Sequence, residues 1–167
     1  MEQGAYSIEK STVECYKIRH SSGMYWADIT IDCQGKTGRI QIASDYGDYQ
    51  RYWGACGTDF KDFLSRLNIE YAADKFGADR WFDLDKTIAC LKTRIAENID
   101  DEEERKEFAN ELIQLNNSSC LEEFCSIARD CEKIWDFEDG TPEICYSITP
   151  QFKNFWKHVW PILLEQF

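Results

Sequence analysis

The chain has 167 residues, 43% of them hydrophobic and 14% aromatic, with 31 acidic against 19 basic side chains and a net charge of −12. That apolar share is enough to close a core, which excludes wholesale disorder, and the length suits one domain over 1–167 better than two cores. The acidic balance argues against direct binding of nucleic acid or an anionic membrane surface, and no apolar run approaches the roughly 20 residues of a membrane span.

Residues 1–12 lack periodicity, which predicts a flexible N-terminus, and Met1-Glu2-Gln3-Gly4-Ala5 has no basic-then-apolar export pattern. A cytoplasmic protein is expected. From Val13 to Arg19 the β-branched and aromatic residues predict a strand, followed by the turn His20-Ser21-Ser22-Gly23. Tyr25, Ala27, Ile29, Ile31 and Cys33 alternate with Trp26, Asp28, Thr30 and Asp32, the period of a strand with one buried face. Gln34-Gly35-Lys36 predicts a turn, Ile40 and Ile42 mark a third strand, and Tyr49 to Trp53 a fourth.

At Thr58 the period changes. Phe60, Phe63, Leu64, Leu67 and Tyr71 recur at helical spacing behind a threonine cap, with Gly77 as the stop. Asp83 caps a second helix carrying Leu84, Ile88, Leu91 and Ile95, and a third runs from Asp100 to about Asn116. Ser119 and Glu122 form a capping box for a fourth, with Leu121, Phe124, Cys125, Ala128 and Trp135 on its apolar side. After the turn Glu138-Asp139-Gly140-Thr141-Pro142, Ile144 to Ile148 predicts a short strand. Thr149-Pro150 opens a last helix lined by Phe152, Phe155, Trp156, Val159 and Leu163, which Pro161 should kink. The expected fold is α+β: an N-terminal antiparallel sheet of three or four strands over 13–57, then about five helices over 58–167.

The negative charge is localised. Residues 95–145 hold 16 acids and 4 bases, whereas the other residues hold 15 of each. At about 100° per residue, Asp100, Glu103, Glu104, Glu107 and Glu111 fall on one stripe of the third helix, away from Phe108, Leu112 and Leu115. Glu122, Glu123 and Asp130 of the next helix extend that surface. Like charges three or four residues apart cost about 0.2–0.5 kcal/mol per pair, so helix stability does not account for the ridge. One reading is a solvated face that maintains solubility. The sharper one is a decoy for phosphate, because carboxylates about 5–6 Å apart could enter a Lys- and Arg-lined groove built for nucleic acid.

Catalytic signatures are lacking. Phosphate-loop, dinucleotide, serine-hydrolase and zincin motifs do not occur, and His20 and His158, the only histidines, read as surface residues. The spacing of Cys120, Cys125 and Cys131 makes no zinc knuckle, and the eight cysteines read as free thiols. Asp28 and Asp32 with Thr30 are a weak candidate for a hard cation on a water-facing strand face. No enzyme, cofactor or metal is expected. The run Asp45 to Trp53 is dense in aromatics; its rings either cover the sheet or, through Tyr46, Tyr49, Tyr52 and Trp53, form a protein-recognition patch.

Gly38-Arg39-Ile40-Gln41-Ile42-Ala43-Ser44-Asp45-Tyr46-Gly47, Tyr52-Trp53-Gly54-Ala55-Cys56-Gly57 and Phe60-Lys61-Asp62-Phe63-Leu64 resemble small bacteriophage and prophage proteins of unassigned function, over about residues 24–83. The resemblance implies a phage-encoded accessory protein of the kind that includes anti-CRISPR and other anti-defence inhibitors. Together with the charge it gives the leading expectation: a non-enzymatic inhibitor that blocks a basic nucleic-acid-binding surface of a bacterial defence complex through Asp100, Glu103, Glu104, Glu107, Glu111, Glu122 and Glu123. The alternative is an interaction module regulating a phage or host factor through Tyr46, Tyr49, Tyr52 and Trp53 of the aromatic strand. Pairing of two chains through the C-terminal aromatic helix is a further expectation.

Overall fold

The computed structural model describes residues 7–167; residues 7–12 are exposed and form no regular element, and the first six residues of the expected flexible terminus lie outside the described residues. The fold is α+β, and it divides into two compact units, one comprising the residues up to Asp79 with Ile148–Phe167 and the other Arg80–Ser147. Each has its own cluster of buried side chains.

The first unit opens with β1 (Glu14–Ile18), β2 (Ala27–Gln34), β3 (Thr37–Ser44) and β4 (Tyr49–Trp53), an antiparallel sheet in sequence order. The predicted alternation sets the pleat: Ala27, Ile29 and Ile31 of β2 lie beside Ile42 and Ile40 of β3 in register, all buried. Helices α1 (Phe60–Ser65), α2 (Ile69–Phe76), α7 (Pro150–His158) and α8 (Trp160–Leu164) bring Phe60, Leu64, Phe76, Phe152, Phe155 and Leu163 into the same cluster. The start of α1 is tied to the β2–β3 turn, since Phe60 N donates to Gly35 O at 2.9 Å and Cys56 N to Lys36 O at 2.9 Å.

Two of the expected helices in this unit are each broken once, for local reasons. Asn68 accepts from Tyr71 N at 2.9 Å, which caps a new helix after α1; the start of α1 is capped by Asp59, which accepts from Lys61 N, and not by Thr58. At the C-terminal end, Pro161 lacks an N–H, and the chain breaks at Val159 between α7 and α8.

The second unit holds β5 (Arg80–Phe82), α3 (Leu84–Asn98), α4 (Glu102–Leu115), α5 (Leu121–Asp130), α6 (Glu132–Phe137) and the start of β6 (Tyr146–Ile148). β5 and β6 form a two-stranded sheet. Ile88, Leu91 and Ile95 of α3 pack with Phe108, Leu112 and Leu115 of α4, Phe124 and Ala128 of α5, and Ile134 of α6. Asp83 caps α3 as expected, accepting from Lys86 N at 3.0 Å. Buried Thr87 donates to Asp83 O at 2.8 Å and accepts from Cys145 N at 3.0 Å, which holds the segment before β6 against α3. The expected fourth helix stops at Cys131, so α5 and α6 are separate. All eight cysteines are free thiols; burial, then Glu111, pushes the Cys131 thiol up to about 11, which makes it an inert core group.

Candidate functional site

The acidic helix α4 begins one residue later than its charge pattern suggested. Asp101 is the cap, accepting from Glu104 N at 2.8 Å, and Asp100 lies outside the helix. Glu102, Glu103 and Glu104 then occupy the first turn, where the helix dipole favours negative charge by about 0.3–1 kcal/mol each. Part of the acidic run is therefore explained by the helix it starts.

Further along, several carboxylates are engaged by their own unit. Glu103 pairs with Lys106 at 2.7 Å with both side chains largely exposed, and Glu107 pairs with Lys133, whose ammonium it holds above its ordinary range. Glu111 is structural. Its two oxygens accept Lys133 N at 3.2 Å and Ile134 N at 2.8 Å, so a side chain from α4 satisfies the open N–H groups at the start of α6, whose own cap Cys131 makes no side-chain bond. This corrects its placement on a ridge open to a partner. Charge-assisted bonds of this kind contribute about 1.5–3 kcal/mol, so Glu111→Ala is expected to lower unfolding stability by about 2 kcal/mol and Glu111→Gln by about half that, measured by urea titration.

On α5 the expected capping box does not form, since the N-cap is Cys120, which makes no side-chain bond. Ser119 N and Oγ both donate to Glu123 Oε2 at 2.7 Å, which lowers the Glu123 carboxyl, whereas Glu122 projects freely. Asp100, Glu102, Glu104 and Glu122 carry no ion pair, and Glu103 and Glu107 carry only exposed ones, each worth about 0–1 kcal/mol. Of these, Glu103, Glu104 and Glu107 share one side of α4, whereas Asp100 precedes the helix, Glu102 lies on another side and Glu122 belongs to α5.

The aromatic strand resolves differently. Trp53 is buried against Phe60, Phe63 and Phe76, and its Nε1 donates to Tyr71 Oη at 3.2 Å. Tyr49 is half-buried, 5.1 Å from the Phe152 ring and 5.5 Å from Phe155. Trp53 is thus a core residue, whereas Tyr49 packs against the core and keeps part of its surface open. Tyr52 remains exposed, with the Arg39 guanidinium 5.9 Å from its ring centre. The apolar side of the C-terminal helices is likewise occupied within its own unit: Phe152, Phe155, Val159 and Leu163 are buried, leaving that face unavailable for pairing as the fold stands.

A family model described as a phage family matches residues 6–164. The chain belongs to this phage family. No curated protein and no solved structure matches it. Among the described residues of this phage protein, no helix is long and apolar enough to cross a membrane, and no cluster of His, Cys, Asp or Glu is placed to hold a metal. Asp28, weighed as a cation ligand, is instead paired with Arg19 at 2.5 Å.

One grouping was illegible in the sequence. His20 and His158, 138 positions apart, line the same cleft in the first unit of the phage protein. The only local signal is the four-residue spacing of Asn154 and His158, which puts one side of α7 on that cleft.

Proposed function

We propose that this phage protein is a non-enzymatic inhibitor, anti-CRISPR-like in role, which binds a basic nucleic-acid-binding surface of a host defence complex in the bacterial cytoplasm. The observation that carries this reading is the acidic side of α4, formed by Glu103, Glu104 and Glu107, with Asp100 before the helix and Glu122 on α5 adding to the same excess of charge. All of the net charge of the chain resides in residues 95–145. A Lys- and Arg-lined groove gains from it in two ways. Unpaired carboxylates are available at once, and the exposed partners Lys106 and Lys133 cost little to displace. Glu111 and Glu123 act only by holding the surface in place. The aromatic-strand reading has less support because Trp53 belongs to the core and Tyr49 is half-buried against it.

The test is phage plating on a host with an active nucleic-acid-targeting defence. Expression of the chain is expected to restore plating, and Glu103, Glu104, Glu107 and Glu122 changed together to Gln to abolish that rescue while leaving the melting temperature within a few degrees. Glu111 is left intact so that α6 keeps its cap. Rescue by the variant equal to wild type rejects this surface; absence of rescue by wild type across defence types rejects the inhibitor reading.

A further inference from the structure

The first unit contains a cleft of about 460 Å³ lined by His20, Tyr25, Tyr46, Asn154, His158 and Ile162. Its volume falls in the range of about 300–1,000 Å³ typical of small-molecule sites. The wall is built by a strained turn. Tyr25 has φ of 61°, a left-handed backbone conformation that bulky residues rarely adopt, and it is held there by Asp45, whose carboxylate accepts Tyr25 N at 2.5 Å and Trp26 N at 3.3 Å. The turn places the Tyr25 ring 6.2 Å from Tyr46 at an interplanar angle of 20°, with His20 edge-on at 5.5 Å. Strain of this kind is retained where surrounding contacts over-determine it and is concentrated at functional sites.

The polar groups are donors. Ser22 N donates to His20 Nδ1 at 3.2 Å, and since a backbone N–H can only donate, Nδ1 is the acceptor and the neutral ring carries its hydrogen on Nε2. Tyr46 contributes its ring, while its hydroxyl is buried out of reach with no hydrogen-bond partner. Asn154 supplies an amide. No Lys or Arg lines the cleft, so a bare anion meets no fixed positive charge, whereas a flat ring edged with acceptors meets both aromatic faces and donors. The unit as a whole is close to neutral, with 13 acids and 11 bases, and does not repel a ligand carrying a phosphate.

From these features we infer that the cleft between the β1–β2 turn and α7 binds the base of a nucleoside or mononucleotide, stacked on the Tyr25–Tyr46 wall and hydrogen-bonded by His20 and Asn154. Base-on-aromatic stacking is sequence-tolerant, and the amide and imidazole edges then select among bases. This site is independent of the acidic surface, and its test does not involve a partner protein.

The experiment is calorimetric titration of the full chain with the four ribonucleosides, their 5′-monophosphates, and inorganic phosphate. At least one base is expected to bind, with nucleoside and monophosphate of that base within about tenfold of each other and phosphate alone not competing. Tyr25→Gly relaxes the turn while deleting the ring, and is expected to weaken binding about 5- to 100-fold with the thermal transition retained. Asn154→Ala keeps the aromatic wall and removes only the amide, for a loss of about 5- to 10-fold. No heat with any nucleoside or nucleotide at about 1 mM overturns the inference, as does binding unchanged by both variants, or binding matched by phosphate alone.

Discussion

Gly38→Ala is expected to destabilise the chain by about 2 kcal/mol, despite adding a residue with better strand entropy. Gly38 sits in β3 between Cys33 of β2 and Trp53 of β4, and the ring of Phe60 closes over it. A Cβ there would lie 2.5 Å from two Phe60 ring carbons and 2.7 Å from a third. Replacing glycine in a strand returns about 0.5–1 kcal/mol, whereas overpacking a closed core costs typically about 1–3 kcal/mol. Overpacking wins because Phe60 has nowhere to go: it is fully buried, flanked by Trp53 at 5.9 Å, and its N–H is fixed to Gly35 O. Urea unfolding of the single variant and of Gly38→Ala with Phe60→Leu measures the coupling, and the smaller side chain should recover part of the loss. Additive effects would show that the ring is not what occupies the space above Gly38.

Arg94→Met is the second large effect, with an expected loss of about 2–3 kcal/mol. The Arg94 guanidinium lies 2.8 Å from Glu138, whose side chain is 6% exposed, and 3.5 Å from exposed Glu143. Glu138 is the C-cap of α6, so its charge sits at the end of the helix where the dipole disfavours an anion. Arg94 offsets both the dipole and the desolvation. Removing it strands a buried carboxylate, whereas removing both partners strands nothing, so Arg94→Met with Glu138→Met should recover most of the stability in thermal melts. A double variant no more stable than the single would mean that the arginine acts through its packing on α3 instead.

The sheet was legible in the sequence because alternation is a local property. Ile29 and Ile31 against Ile40 and Ile42 needed only the pleat to find their places, and the fourth strand, Tyr49–Trp53, has the predicted limits. The helices were legible as amphipathic stretches, but their ends were less so. Asp59, Asp101 and Glu123 each took a role one residue from the expected group, since any nearby oxygen can reach an open N–H. The acidic surface was legible only as a sum. That Glu111 caps a helix 22 positions further on, and that Glu138 faces Arg94, depends on how α3, α4 and α6 come together. The histidine cleft was illegible for the same reason, because its two sides are joined by the fold and not by any spacing.

The first unit is discontinuous: its chain leaves at Asp79 and returns at Ile148, with Thr149 N donating to Asp79 O at 3.2 Å across the junction. During synthesis, therefore, the sheet has only α1 and α2 to cover its apolar side until the whole intervening segment has left the ribosome and α7 and α8 complete the core. Nascent chains stalled before residue 148 should be protease-sensitive over β1–β4, and the same adjacency of exit and return makes replacement of 80–147 by a short glycine-rich bridge the natural way to obtain the first unit alone.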